Sequence, residues 1–180
     1  MPQEKENSFF MRAVKCSMLN SDAYEEVEHD ESRMSQALML VLISGTAYGL
    51  YYSNFLFDTF SPAVVLISVI FGMLHWALFA WITYFVGTRI FRTNETEADW
   101  GQLARTLGFA SSPKLLFFGV LLFSSEIMQS IEAIILLWVT VTSFIAIRQA
   151  LELTNLRALG TTLVSTFLIT LFTIVIEGIA

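Results

Sequence analysis

The sequence predicts an all-α membrane protein: a five-span transmembrane helix bundle with amphipathic and acidic surface helices at its N-terminus and a short amphipathic helix between spans two and three. Three observations carry this prediction. Of 180 residues, 55% are hydrophobic and only 14% are charged, whereas a soluble chain is about a quarter charged. The 26 charges are unevenly placed, with 12 in the first 35 residues and 14 in the following 145, too few to cover a water-facing surface. Apolar runs near spanning length then recur through the rest of the chain.

The first 35 residues form a cytoplasmic segment, and residues 36–180 the transmembrane domain. Residues 8–19 place Phe10, Val14 and Met18 on one face and Arg12 and Lys15 on others, the pattern of a small helix lying among lipid headgroups. Ser21 is placed to cap a short acidic helix through Glu28, whose carboxylates favour its N-terminal half. Span one covers about residues 36–53. Span two covers 62–87, with Pro62 suited to its first turn; at about 37 Å it exceeds a hydrocarbon core of about 30 Å and should tilt. Thr96 and Asp99 resemble a capping box, followed by Trp100, Leu103 and Leu107 at helical spacing until Gly108 ends the helix. Pro113 opens span three, 113–125, and spans four and five cover 128–147 and 161–178. Tyr48, Tyr51, Tyr52, Trp81, Tyr84 and Trp100 fall near the expected interfaces, where amphipathic aromatics collect.

The stretch Leu115 to Ile147 is the ambiguous one. Ser124, Ser125, Glu126, Gln129 and Ser130 interrupt it, so it is either two short helices in a hairpin, with Glu126 in the turn, or one overlong broken helix. Charge favours the hairpin, because five spans put all ten basic residues on one side. Lys5, Arg12, Lys15 and Arg33 precede span one, Arg89, Arg92, Arg105 and Lys114 lie between spans two and three, and Arg148 and Arg157 between four and five. The expected topology is multi-pass, N-terminus cytoplasmic and C-terminus outside. Span three is the shortest, nearer a re-entrant segment than a full crossing. The N-terminus lacks the pattern of a cleavable signal, so residue 1 is expected in the mature protein.

Bulk properties also exclude partners. A net charge of -6 with no run of Lys and Arg lacks the footprint of a nucleic-acid binder. One cysteine, Cys16, cannot form an internal disulfide, and His29 and His75 lie too far apart for a metal-ligand spacing. No cofactor is expected. No nucleophile stands beside a base, and no glycine-rich phosphate loop follows a strand, so no enzyme is predicted. Asn94, Glu95 and Thr96 match a glycosylation acceptor, but charge puts them in the cytoplasm.

Polar residues inside the membrane are the candidate functional positions, because each costs on the order of 3 kcal/mol near the bilayer centre. His75 lies mid-span with Ser68 and Gly72 on its face; it reads as a neutral imidazole bonded to a neighbouring helix, or as a proton-transfer group. Gln129 and Glu132 sit near the outer end of span four, with Thr140 and Ser143 deeper. There Glu132 either snorkels to the interface or is a buried functional carboxylate. Thr162, Thr166, Thr170, Thr173 and Glu177 make a continuous seam on span five, as a pore lining would and as an ordinary helix contact would. Gly45 and Gly49 permit close approach of another helix, in internal packing by preference or in dimerisation.

Three segments carry a family resemblance. Leu107, Gly108, Phe109, Ala110, Ser111, Ser112 and Pro113 resemble the glycine, aromatic, small, then proline signature of the Yip-domain (Ypt-interacting protein) membrane family. The acidic run Ala23 to Glu28 and the segment Ile147, Arg148, Gln149, Ala150, Leu151, Glu152, Leu153 resemble its prokaryotic branch, so the similarity covers nearly the whole chain. Eukaryotic members bind Rab-type GTPases, usually with a long polar tail and an Asp, Leu, Tyr, Gly, Pro motif; this chain has neither. The resemblance therefore implies a compact integral protein of a prokaryotic cell (inner) membrane.

The leading functional expectation is a nonenzymatic scaffold or accessory subunit of a membrane complex, whose partners are membrane lipids and other membrane chains or further copies of itself. The alternative is a small transporter or permeation path for lipid, ion or solute, motivated by His75, Glu132 and the threonine seam. A third reading makes residues 1–35 a docking platform whose acidic stretch attracts a basic surface.

Overall fold

Local capping sets where the first helices begin in the computed structural model, which describes residues 8–57, 60–92 and 99–177. Ser8 accepts from the Met11 amide at 3.3 Å and starts α1 (Phe9–Ser17). Asn20, rather than Ser21, caps α2 (Ser21–His29), accepting from the Ala23 amide at 2.8 Å. Ser21 is the first helical residue, and its hydroxyl is instead held by Arg148. Two further short elements are a one-turn 3-10 segment, Glu31–Arg33, and α5 (Trp100–Ala110). Asp99 and Gln102 form a reciprocal capping box there. The box is thus three residues later than Thr96 and Asp99 suggested, and Thr96 lies outside the described residues.

Among the described residues all regular structure is helical, and four helices are long and apolar enough to cross a bilayer. They are α3 (Met34–Phe57), α4 (Pro62–Phe85), α6 (Ser125–Ala150) and α7 (Asn155–Glu177). Twenty-four residues, the length of α3 and of α4, give about 36 Å at 1.5 Å per residue, enough for the hydrocarbon core with some tilt. Pro62 occupies the first turn of α4, which ends in a π-helical turn, Val86–Ile90.

The ambiguous stretch resolves into unequal parts. Ser112–Leu121 is a ten-residue 3-10 helix, and α6 is one 26-residue helix beginning at Ser125. A full α-helical third span over 113–125 does not form. Pro113 stands at the first turn of the segment, where proline is tolerated, and a side chain at Gly119 would come within 2.9 Å of Met128 Sδ. Glu126 is in the first turn of α6 rather than in the hairpin turn, where its charge suits the positive end of the helix dipole.

The 3-10 segment is wedged between α3 and α6. Ser44 on α3 donates to the Ser111 carbonyl at 3.3 Å, and Phe117 stacks at 5.0 Å on Tyr51 and meets Tyr48 edge-on at 5.2 Å. On the other side Thr142 of α6 donates to the Ala110 carbonyl at 2.7 Å. The segment therefore runs parallel to α3 and antiparallel to α6.

The main core gathers around α5. Leu103, Leu107, Phe109 and Ala110 are buried with Ala37 and Leu40 of α3, Ile147 of α6 and Tyr24 and Val27 of α2. Both N-terminal helices are docked on this core. α1 turns Phe10 and Met18 outward, as its amphipathic pattern suggests, but its other face buries Arg12, Ala13 and Cys16. It is thus fastened to the bundle rather than floating free on a leaflet.

Candidate functional site

Buried charge is expensive unless paired, so the N-terminal cations show what the docked helices are for. Arg12, with no exposed surface, forms an ion pair with Glu26 at 2.7 Å and donates to Gln36 Oε1 at 2.7 Å, locking α1 to α2 and to the start of α3. Arg105 of α5 donates to the carbonyls of Val27 at 3.3 Å and Glu28 at 2.5 Å, the open C-terminal end of α2. Arg148 of α6 donates to Ser21 Oγ at 2.9 Å, to Gln149 and, at 3.2 Å, to Asn155. Three cations from distant points of the sequence thus converge on α2.

Around that convergence lies a cavity of about 240 Å3 lined by Glu25, Glu28, His29, Arg148, Gln149 and Glu152. Glu28 is only 6% exposed, and its carboxylate makes no hydrogen bond or ion pair with any described residue. Burial pushes it up to about 7, and the carboxylates of Glu152 and Glu25 push the same way, against the pull of His29 and Arg105. Glu152 stands in the left-handed region at φ 48° in the turn between α6 and α7, a conformation costing about 1–3 kcal/mol for a residue with a side chain. A second, apolar groove of about 410 Å3, lined by Phe144, Arg148, Asn155, Leu156 and Leu159, shares Arg148 with the first cavity.

The candidates proposed from sequence are scattered elsewhere. His75 lies on α4 between the rings of Phe71 at 6.2 Å and Phe79 at 6.4 Å. The hydrogen bond to a neighbouring helix belongs to the next residue, Trp76, whose indole donates to the Ala104 carbonyl at 3.2 Å. Glu132 is held by α3: Tyr51 donates to it at 2.9 Å and Tyr48 at 3.5 Å. Those tyrosines, read as interfacial anchors, are the carboxylate's partners. Gln129 is exposed.

The seam on α7 does not stay on one environment. Thr162 is buried and Thr170 exposed, with Thr166 and Thr173 between. Thr162 and Thr173 bond the carbonyls of Ala158 and Ile169 on their own helix at 2.8 and 3.0 Å. The buried stripe of α7 is instead Ala158, Thr161, Thr162, Ser165 and Ile169. Glu177 ends α7, and its side chain lies outside the described residues.

Gly45 and Gly49 pack α3 against α4, where added Cβ atoms would stand 3.2 Å from Val69 Cα and 2.9 Å from Val65 Cα. Gly108 does not end α5, which runs to Ala110; it is the point of contact with α3, 2.7 Å from Ala37 Cβ once a Cβ is added. Phe109 is buried with its ring edge-on to Phe9 at 6.4 Å, and Pro113 is buried in the junction to the 3-10 segment. Ser112 of that junction bonds the Phe109 carbonyl at 2.7 Å and Ser17 Oγ at 2.7 Å.

Sequence reasoning missed the cavity, although it quoted both halves of its wall. Glu25 and Glu28 lie in the acidic run, and Arg148, Gln149 and Glu152 in the segment after span four. That these two family-like segments face one another is a tertiary fact carried by no spacing. Among the described residues no group of three His, Cys, Asp or Glu is placed to hold a metal ion. Cys16 is buried, which pushes its thiol up to about 12 and leaves it poorly reactive.

The family model of the Yip1 domain matches residues 18–176, from the end of α1 to nearly the end of α7. No curated protein and no solved structure matches this chain.

Proposed function

The chain belongs to the Yip1 domain family, and from that premise we propose that it is a nonenzymatic scaffold or accessory subunit that associates within the membrane with copies of itself or with other membrane chains. The observation carrying this reading is the use made of the polar groups inside the bundle. Ser44 bonds to Ser111, Trp76 to Ala104, Tyr51 to Glu132 and Thr142 to Ala110, each joining two different elements. Groups spent on holding helices together are not arrayed along a path for a solute.

The exposed surface supports association. On α4 only Ala80 and Thr83 are buried, and Leu66, Ile67, Ile70 and Leu74 expose 62, 65, 51 and 64% of their surface. Such a face, apolar over more than two turns, suits lipid or a second helix. The test uses cysteine chemistry, because the sole native thiol, Cys16, is buried. In membranes, Leu74→Cys and Ile67→Cys chains are expected to cross-link to a partner within reach of a short bismaleimide. Monomer alone from both variants, with no copurifying chain in native mass spectrometry, rejects the reading.

The same proposal includes a topology of five crossings in a prokaryotic cell membrane, with residues 1–35 in the cytoplasm, docked on the domain 36–180. The third crossing is made by the end of α5 and the 3-10 segment. Its support is that Gly108 meets Ala37 near the start of α3, whereas Phe117 meets Tyr51 near the end. The basic residues Arg12, Arg105, Arg148 and Arg157 also bond to groups at one end of the bundle.

A further inference from the structure

A cation and three carboxylates share one wall without neutralising each other. Arg148 spends three donors on neutral acceptors, Ser21, Gln149 and Asn155, and among the described residues forms no ion pair with Glu25, Glu28 or Glu152. A guanidinium has five N–H donors, so two remain for an anion. Glu28 is 6% exposed as a residue, and its carboxylate takes no hydrogen bond from a described residue, Arg105 and His29 acting on it only as nearby charges. A chain that settles Arg12 with a 2.7 Å ion pair to Glu26 leaves both of these groups open.

The two environments identify what would satisfy them. Arg148 lines both cavities, the apolar groove of Phe144, Leu156 and Leu159 and the polar one of Glu28 and Glu152. Leu156 is 79% exposed, so the groove is open to acyl chains. We propose that the two cavities form one site for a phospholipid whose phosphate is followed by a primary ammonium, with acyl chain in the groove, phosphate on Arg148 and ammonium against Glu28 and Glu152.

Each part of the headgroup meets its complement: phosphate suits the charge and the remaining Nε and Nη1 hydrogens of Arg148 as single donors, and an ammonium offers three donors to acceptor-only carboxylates. A quaternary ammonium offers none and is bulkier, and an anionic headgroup without an amine would bring no cation to the carboxylates. Ligand discrimination of this kind follows from leaving buried polar groups unpaired by the wrong partner. The raised proton affinity of Glu28 fits a site without its cation, since a bound ammonium favours the ionised carboxylate. This inference goes beyond the scaffold reading and stands or falls separately, because a chain could self-associate without selecting a lipid.

The test is lipid retention by the full chain in detergent micelles, followed by native mass spectrometry with dioleoyl phosphatidylethanolamine, phosphatidylcholine and phosphatidylglycerol in competition. The ethanolamine lipid is expected to be retained at least fivefold over the choline lipid. Glu152→Gln, at an exposed turn position where refolding of the core is not at issue, should lower that ratio, and Glu28→Gln with Glu152→Gln should bring it near one. Glu126→Gln, in the first turn of α6 and far along the helix from Arg148, should leave it unchanged. Equal retention of the three lipids by the parent chain, or an undiminished ratio in the double variant, overturns the proposal. Competition by glycerophosphoethanolamine as strong as by the intact lipid would assign the site to a soluble headgroup and overturn the part played by the groove.

Discussion

Glu25, Glu26 and Glu28 stand within about one helical turn and meet three environments. Glu25 is exposed, Glu26 is paired with Arg12, and Glu28 is enclosed. For Glu28 the consequence is a dependence of α2 docking on pH. Its carboxyl is pushed from an ordinary 4.5 up to about 7, so the folded chain binds the proton more tightly than the unfolded one. The associated stability is present in full below about pH 4.5, falls through the interval, and is gone above about pH 7. Hydrogen exchange of the α2 amides is therefore expected to quicken between pH 5 and pH 8 in the parent chain. Glu28→Gln, which cannot ionise, should show the smaller change, and its midpoint of unfolding in detergent at pH 8 should exceed the parent's by roughly 3–6 °C. Identical pH dependence in the two chains would remove the argument. The sequence displayed three acids at helical spacing and no way to rank them, because their neighbours come from elsewhere: Arg12 precedes Glu26 by 14 positions, and Arg105 follows Glu28 by 77. His75 and Trp76 teach the same lesson, since one residue of rotation decides which side chain faces α5.

At the scale of elements, long apolar helices were legible and short ones were not. α4 and α7 follow from unbroken hydropathy and the position of Pro62, whereas the 3-10 segment has the same composition as a helix and differs by what bounds it. Packing, not propensity, holds that segment, through Phe117 on Tyr51 and the bond from Thr142 to the Ala110 carbonyl. The preceding motif is accordingly a joint. Gly108 lets α5 lie against α3, and a side chain there would come within 2.7 Å of Ala37 Cβ and 3.1 Å of its Cα. Backbone on one side and a short side chain on the other leave nothing flexible to yield, so Gly108→Val should cost about 1–3 kcal/mol and lower thermal stability in detergent. Ala37→Gly in the same chain should recover part of the loss, because it removes the colliding Cβ. Full stability of the single variant, or no recovery in the double one, would show that the joint tolerates separation. Gly108 was singled out in the sequence as a helix end; its role as a contact point became visible only with Ala37 opposite.

For the whole molecule the decisive quantity is parity. Four helices qualify as spans by length and composition, and four crossings would leave both termini on one side. The 3-10 segment decides between four and five. Ten residues at about 2.0 Å each reach about 20 Å, short of a hydrocarbon core of about 30 Å, but in the proposed topology the segment does not cross alone. The last turn of α5 enters beside Ala37, near the start of α3, and Leu122 to Ser124 turn the chain into α6 beyond the level of Tyr51. Backbone polar groups at that depth need partners other than water, and the carbonyls of Ala110 and Ser111 have Thr142 and Ser44. A fifth crossing also keeps Arg148 and Arg157 on the side of Arg12 and Arg105, in line with the positive-inside tendency. A reporter that is active only outside the membrane, fused after Ala180, should therefore be active, while the same reporter placed before Met1 should be silent. Equal activity at both ends would reduce the 3-10 segment to a re-entrant loop, return the count to four, and place the positive charge of the α6–α7 turn on the face that the rule disfavours.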